Sequence, residues 1–155
     1  MNKRLLVMTH IVVLGIGFVL GIYALPILIA PDSPSGADLE RVMSGAAYSG
    51  EFKRELRGSD FLHWGEGRVT VGSDAVALMG RLAPGPDYRL YLAPEFVEDE
   101  AGFQRVKASS VDIGAVRTFE NFIVPIPPSV DAAEYNTVVV WCEAFSEFIS
   151  AAQYR

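Results

Sequence analysis

The stretch TVVVWCEAFSEF, Thr137 to Phe148, carries three consecutive valines, then Trp141 and the only cysteine of the chain, Cys142. β-Branched and aromatic residues at this density suit a pleated, half-buried surface and are crowded by the preceding turn of a helix. It is the strongest strand signal in the sequence. Side chains alternate along a strand. Val138, Val140, Cys142 and Ala144 therefore share one face, and Thr137, Val139, Trp141, Glu143 and Phe145 share the other. Glu143 marks the second face as at least partly solvated, which turns Cys142 inward.

Other segments extend the β reading. GRVTVG (Gly67 to Gly72) alternates between glycines, and AVALMGRL (Ala75 to Leu82) follows a tight turn at Ser73-Asp74. DYRLYLAP (Asp87 to Pro94) puts Tyr88, Leu90 and Leu92 on one face and Arg89 and Tyr91 on the other. Before it, APGPD is a turn with φ fixed at Pro84 and Pro86 and with Asp87 able to close on its own backbone. NFIVPIPP (Asn121 to Pro128) is extended, and its prolines suit an edge. EFISAAQY (Glu147 to Tyr154) is a last strand. Short strands at regular spacing predict a small antiparallel β-sandwich or barrel. The only helical expectation in the domain is ADLERVMS (Ala37 to Ser44), about two turns.

The N-terminal part is different. Ile11 to Ala30 contains no charged residue, and roughly 20 apolar residues suffice to cross a bilayer as a helix. Lys3 and Arg4 precede this segment, and Asp32 and Asp38 follow it. The positive-inside rule then expects a cytoplasmic N-terminus and a periplasmic or extracellular domain. The apolar run exceeds the core of a cleaved signal peptide, and Leu-Ile-Ala-Pro offers no A-x-A cleavage pattern. The expectation is an uncleaved signal anchor over residues 1–30, a linker over 31–44 containing APDSPSG, and a domain over 45–155. Pro26 is placed to kink the outer end of the helix. Gly17 and Gly21 form a G-x-x-x-G that offers a homodimer contact, although the motif is as common by chance.

Charge and composition exclude several functions. Without Lys3 and Arg4, 11 basic side chains face 19 acidic ones, near −8. A basic groove for nucleic acid is not expected, nor is electrostatic adhesion to anionic lipid. One cysteine permits no internal disulfide, so the domain relies on its core. There is no P-loop, G-x-S-x-G, H-E-x-x-H or dinucleotide fingerprint. With no hydrolase, nucleotide-binding or zinc-protease signature, the chain is at most a redox accessory.

Few residues remain as candidates. Cys142 reads either as a small hydrophobe of the core or as a shielded thiol that reacts or ligates a metal, and no neighbouring cation in sequence lowers its pKa. His63 is the only histidine outside the apolar segment. It reads as a turn residue bonding to backbone, or as a metal or haem ligand with Cys142 or Met79. One His and one Cys cannot fill a tetrahedral site without carboxylates or a cofactor, and no C-x-x-C-H for c-type haem occurs. The residues name no cofactor or metal. EFVEDE (Glu95 to Glu100) reads as a solvated acidic loop without calcium-loop spacing.

Several stretches taken together resemble the DM-thirteen domain, a family labelled an electron-transfer domain. They are Gly50-x-Phe52, His63-x-Gly65-x-Gly67, Leu82, GPDYRLYL (Gly85 to Leu92), VDIGAV (Val111 to Val116) and NTVVVWCEAFSEFISAAQ (Asn136 to Gln153). The resemblance covers roughly residues 45–153, and the W-C-x-x-F block after G-P-D is its most specific part. It implies a β-sandwich module of extracellular or periplasmic proteins, often beside a cytochrome-like DOMON domain, with a single cysteine as redox centre. Carried over, that centre is Cys142, with Trp141, His63 and Asp87 as supporting residues. RTFENFIV (Arg117 to Val124) lacks the family's usual G-x-Q-x-Y, and the sequence shows no companion DOMON domain, two departures from the pattern on which a haem-partner mechanism rests.

Two functions follow as expectations. One is a membrane-anchored extracytoplasmic redox module that works through Cys142, with an envelope redox protein as partner. The other is a non-enzymatic binding or scaffolding domain in which Cys142 is a core residue.

Overall fold

The computed structural model describes residues 2–155. Helix α1 (Lys3–Ile29) is 27 residues long, contains an 18-residue window with a mean hydropathy of 2.6 and buries none of its residues. It is long and apolar enough to cross a membrane. Helix α2 (Gly36–Ser44) begins at the Ser35 cap, whose hydroxyl accepts from the Asp38 amide. Eight strands follow: β1 (Tyr48–Phe52), β2 (Gly65–Val71), β3 (Ala75–Leu82), β4 (Tyr88–Ala93), β5 (Val111–Val116), β6 (Glu120–Pro125), β7 (Thr137–Cys142) and β8 (Glu147–Gln153). A third helix, α3 (Glu100–Val106), lies between β4 and β5.

The strands form two antiparallel four-stranded sheets, ordered β1-β2-β3-β6 and β5-β4-β7-β8. Their inner faces enclose one core, in which Val69, Val71, Val76 and Leu78 of the first sheet meet Leu90, Leu92, Val138, Val140, Cys142 and Ile149 of the second. The mainly β sandwich is thus as the alternation predicts. β6 is an edge strand, which suits its prolines: Pro125 pairs only with Ala75.

Pairing fixes which loops share an end. Gly65 pairs with Leu82, Tyr88 with Val116 and Cys142, and Cys142 with Glu147. The turns beyond these residues gather at one end of the sandwich. The end of α1 is there too, because Ile27, Ala30 and Pro31 border a hollow with Trp64, Pro84 and Phe119. The Ser33 hydroxyl donates to the Glu120 carbonyl. From this end α2 runs over β3 and β6, burying Leu39. It leads to the far end, where Gly72 lies against Ala46.

Three findings depart from the sequence reading. The second face of β7 is not solvated: Thr137, Val139 and Trp141 are all buried. They lie beneath a second core built by Phe103 and Val106 of α3 with Leu56, Tyr91, Val97 and Phe148. Only Glu143 and Phe145, both beyond the strand, are open to water. The acidic run is likewise no plain solvated loop. Asp99 caps α3 by accepting from the Gly102 amide at 2.7 Å and pairs with Arg57 at 2.7 Å, while Val97 is buried. Finally, α3 itself had no signal, since seven residues are too few to show a 3.6-residue period.

Candidate functional site

Cys142 ends β7 at the α1 end of the sandwich, facing the main core with 2% of its surface exposed. Two turns cover it. The first is Ala83–Asp87. The thiol donates to the carbonyl oxygen of Pro86 at 3.0 Å. Asp87 adopts a left-handed backbone, φ 53°, which turns the chain into β4. Its carbonyl accepts from the Glu143 amide at 3.1 Å, tying the first turn to the second. Gly85 is required by space: a Cβ there would stand 2.3 Å from the Tyr88 hydroxyl.

The second turn is Glu143–Ser146, the hairpin between β7 and β8. Ser146 supplies its left-handed residue, φ 57°. The turn directs the Phe145 and Ala144 amides at the sulfur. It is braced from outside by Glu143, which accepts from the Tyr91 hydroxyl and from Lys107 Nζ, the latter at 2.7 Å. Burial opposes the charge on Glu143, but the Lys107 and Tyr91 hydrogen bonds outweigh it and hold the carboxyl below its usual range.

The thiol's electrostatics follow from these neighbours. Burial is the largest influence and pushes the Cys142 pKa up; the Phe145 and Ala144 amides pull it down, and the Asp87 and Glu147 carboxylates push it up again. The balance is upward, so the neutral S–H is the resting form at neutral pH. A pre-formed thiolate would need a nearby cation, and Lys107 lies on the other side of the sheet with Trp141, 5.2 Å from its ring.

The other expected residues have other places. Trp141 projects from the opposite face of β7 and packs on Phe103, ring centroids 5.0 Å apart. It supports the sheet behind the cysteine and does not line the thiol's side. His63 closes a tight turn, its Nδ1 3.1 Å from Asp60 Oδ2. Asp60 Oδ1 also accepts from the Leu62 and His63 amides, at 2.7 and 2.8 Å. Among the described residues, no group of three or more His, Cys, Asp and Glu side chains is arranged to hold a metal ion. Asp87 does stand beside Cys142: its carbonyl accepts from the neighbouring Glu143 amide, and its charge pushes the thiol pKa up. The residues not foreseen are Pro86, Gly85, Glu143 and Glu147. The G-P-D run held the first two in view, but nothing local reveals that it folds over a residue 56 positions away.

The first turn borders open space. A cleft of about 620 Å³ separates the end of α1 (Leu25, Pro26, Ile29) from Pro86, Tyr88 and Phe119. Pro86 is therefore at once the acceptor of the thiol and part of the cleft wall. The glycines at Gly65 and Gly67 have a structural task instead. Gly67 has φ 120°, and a Cβ would lie 2.3 Å from the Met79 carbonyl oxygen of the paired strand.

A family model described as electron transfer DM13 matches residues 34–154. No curated protein and no solved structure matches the chain.

Proposed function

The chain belongs to the electron transfer DM13 family, and from that membership we propose that it is a membrane-anchored, extracytoplasmic redox module centred on Cys142. The observation that carries the proposal is the placement of the only thiol. The family's two most specific stretches, G-P-D and W-C-x-x-F, fold onto each other with the sulfur between them. α1 would cross the membrane with Lys3 and Arg4 on the cytoplasmic side.

In the resting state the S–H is neutral and covered. Parting of the Ala83–Asp87 turn from the sulfur admits water, while the Ala144 and Phe145 amides of the intact hairpin favour the thiolate. The thiolate attacks a disulfide of an envelope redox partner. A mixed disulfide forms, the partner's second sulfur leaves as thiolate, and the Cys142 proton passes to water. A homodimer through Gly17 and Gly21 belongs to the same proposal; nothing else in the described residues comes within 4 Å of a Cβ placed there.

The test is chemical. The domain is exported to an oxidising compartment, purified without reductant, and examined by mass spectrometry and by visible spectra before and after dithionite. The expected result is a dithiothreitol-reversible modification on Cys142 and no visible band. A band that shifts on reduction would replace thiol chemistry with a bound cofactor, with Cys142 and His63 the first residues to mutate. A thiol that stays free, together with unchanged membrane redox assays for Cys142→Ala, would sink the proposal.

A second reading is favoured by a specific observation. Cys142 is buried, and its pKa is raised, as for a small hydrophobe of the core. The domain would then be a non-enzymatic binding or scaffolding module of the envelope. Capture of an envelope partner that Cys142→Ala leaves unchanged would select this reading.

A further inference from the structure

Outside α1, five large apolar side chains are exposed among the described residues: Phe61, Leu62, Met79, Phe96 and Phe145. Three of them stand at the α1 end of the sandwich. Phe61 and Leu62, 84% and 36% exposed, occupy the turn that leads into Trp64, which borders the end of α1. Phe145, 53% exposed, tops the hairpin whose Glu143 amide is bonded to Asp87, and Asp87 lines the cleft beside α1.

The Phe61 turn is built to hold that presentation. The Asp60 amide donates to the His63 carbonyl at 2.9 Å, and Asp60 Oδ1 accepts from both Leu62 and His63. Just behind it, the Arg54 guanidinium lies 3.4 Å from the Trp64 ring centroid. A firm turn with an outward phenylalanine has no use for that ring in water, and exposed apolar tips of this kind mark contact surfaces.

We propose that Phe61, Leu62 and Phe145 insert into the headgroup–acyl boundary of the bilayer that α1 crosses, so that the sandwich stands on the lipid with the Cys142 end down. The inference rests on the membrane-anchored reading above. The occupant is phospholipid because the three side chains stand at the end of the sandwich where an apolar 27-residue helix also ends. The attraction is apolar. Of the basic side chains near this end, Arg54 and Arg81 are paired with Glu66 and Arg89 with Asp112, and the remaining Arg117 is offset by Asp60, Asp87, Glu120 and Glu147. Seating of this kind does not depend on anionic lipid. The cleft beside Pro86 then opens at the membrane surface, which directs the thiol's cover toward partners held in the same membrane.

The test uses the full chain reconstituted into phosphatidylcholine vesicles. Flotation after alkaline washing reports whether α1 holds the chain in the bilayer. Phe61→Trp then reports docking: the added emission should be quenched by lipid brominated near the headgroup and shielded from acrylamide, with no change on adding anionic lipid. Phe145→Trp gives an independent reading at the same end. Phe96→Trp, beside Ser49 and Gln153 at the far end, should behave in the opposite way. A chain that floats but whose added indoles are quenched by acrylamide and not by brominated lipid overturns the docking and leaves the anchor standing. A chain that does not float overturns both. Shielding without lipid quenching, lost at high lipid-to-protein ratio, assigns the patch to a second copy and overturns the lipid contact.

Discussion

The Cys142 thiol and the Pro86 carbonyl oxygen are 3.0 Å apart, although 56 positions separate them in the chain. Through this bond and the Glu143–Asp87 bond beside it, two turns close over one sulfur. The reactivity of Cys142 is therefore set by how readily those turns part.

Alkylation of native Cys142 should be slow at neutral pH. Both the neutral thiol and the cover act in the same direction. The rate should rise only above the ordinary thiol value of 9.0, or in denaturant, where the ordinary rate returns. Timed iodoacetamide labelling with mass detection measures this, and rapid labelling at pH 7 would contradict the site as described.

The same shift makes stability pH-dependent at the alkaline side. The folded-state pKa of Cys142 is raised, so above pH 9.0 the unfolded thiol ionises while the folded one keeps its proton. The folded state then binds more protons, and stability falls as pH rises through the folded value. Urea midpoints from pH 8 to 11 should decline for the native chain. The slope should ease in Cys142→Ala, which itself costs about 1–2 kcal/mol through the lost side chain.

Gly85→Ala should both destabilise the domain and uncover the thiol. A Cβ would stand 2.3 Å from the Tyr88 hydroxyl, and overpacking of this kind costs about 1–3 kcal/mol. Tyr88→Phe in the same chain removes the obstructing oxygen and should recover part of both effects. Denaturant curves and labelling rates report the two effects separately.

Lys107→Ala removes the brace on Glu143. The pair is about one-third exposed on each side, so the stability cost is at most about 1 kcal/mol. Glu143 has a lowered pKa, so its contribution is present above its ordinary value of 4.5 and lost as pH falls through the folded value. The variant should flatten that acid limb and speed Cys142 labelling at pH 8. An unchanged labelling rate would show that the hairpin holds without the brace.

Three valines fix β7 as a strand and period 2 separates its faces, but Glu143 is a poor guide to which face is inward, since Val139 and Trp141 opposite Cys142 are buried as well. The edge position of β6 was legible from its prolines. The cover on the other face of β7 was not. It is supplied by α3, whose Phe103 sits in a seven-residue helix that starts inside an acidic run, and burial there depends on chain brought from elsewhere. β1 shows the same limit. YSGEF has a mixed burial pattern and only one fully buried residue, Phe52, so it carries little alternation to read. At the site, G-P-D was visible as a turn and W-C-x-x-F as a strand end. Their meeting is a tertiary event that no local pattern encodes.

The path of α2 has a consequence for assembly. This helix rests on β3 and β6, and the Ser33 hydroxyl that starts its approach is bonded to Glu120, 87 positions later. During synthesis the surface that receives α2 does not exist until Pro125 has emerged and β6 has paired with β3. The segment made early, between α1 and the first strand, must therefore wait as a loose leash while the sheets form around their own contacts. Its docking is complete only once β6 lies beside β3.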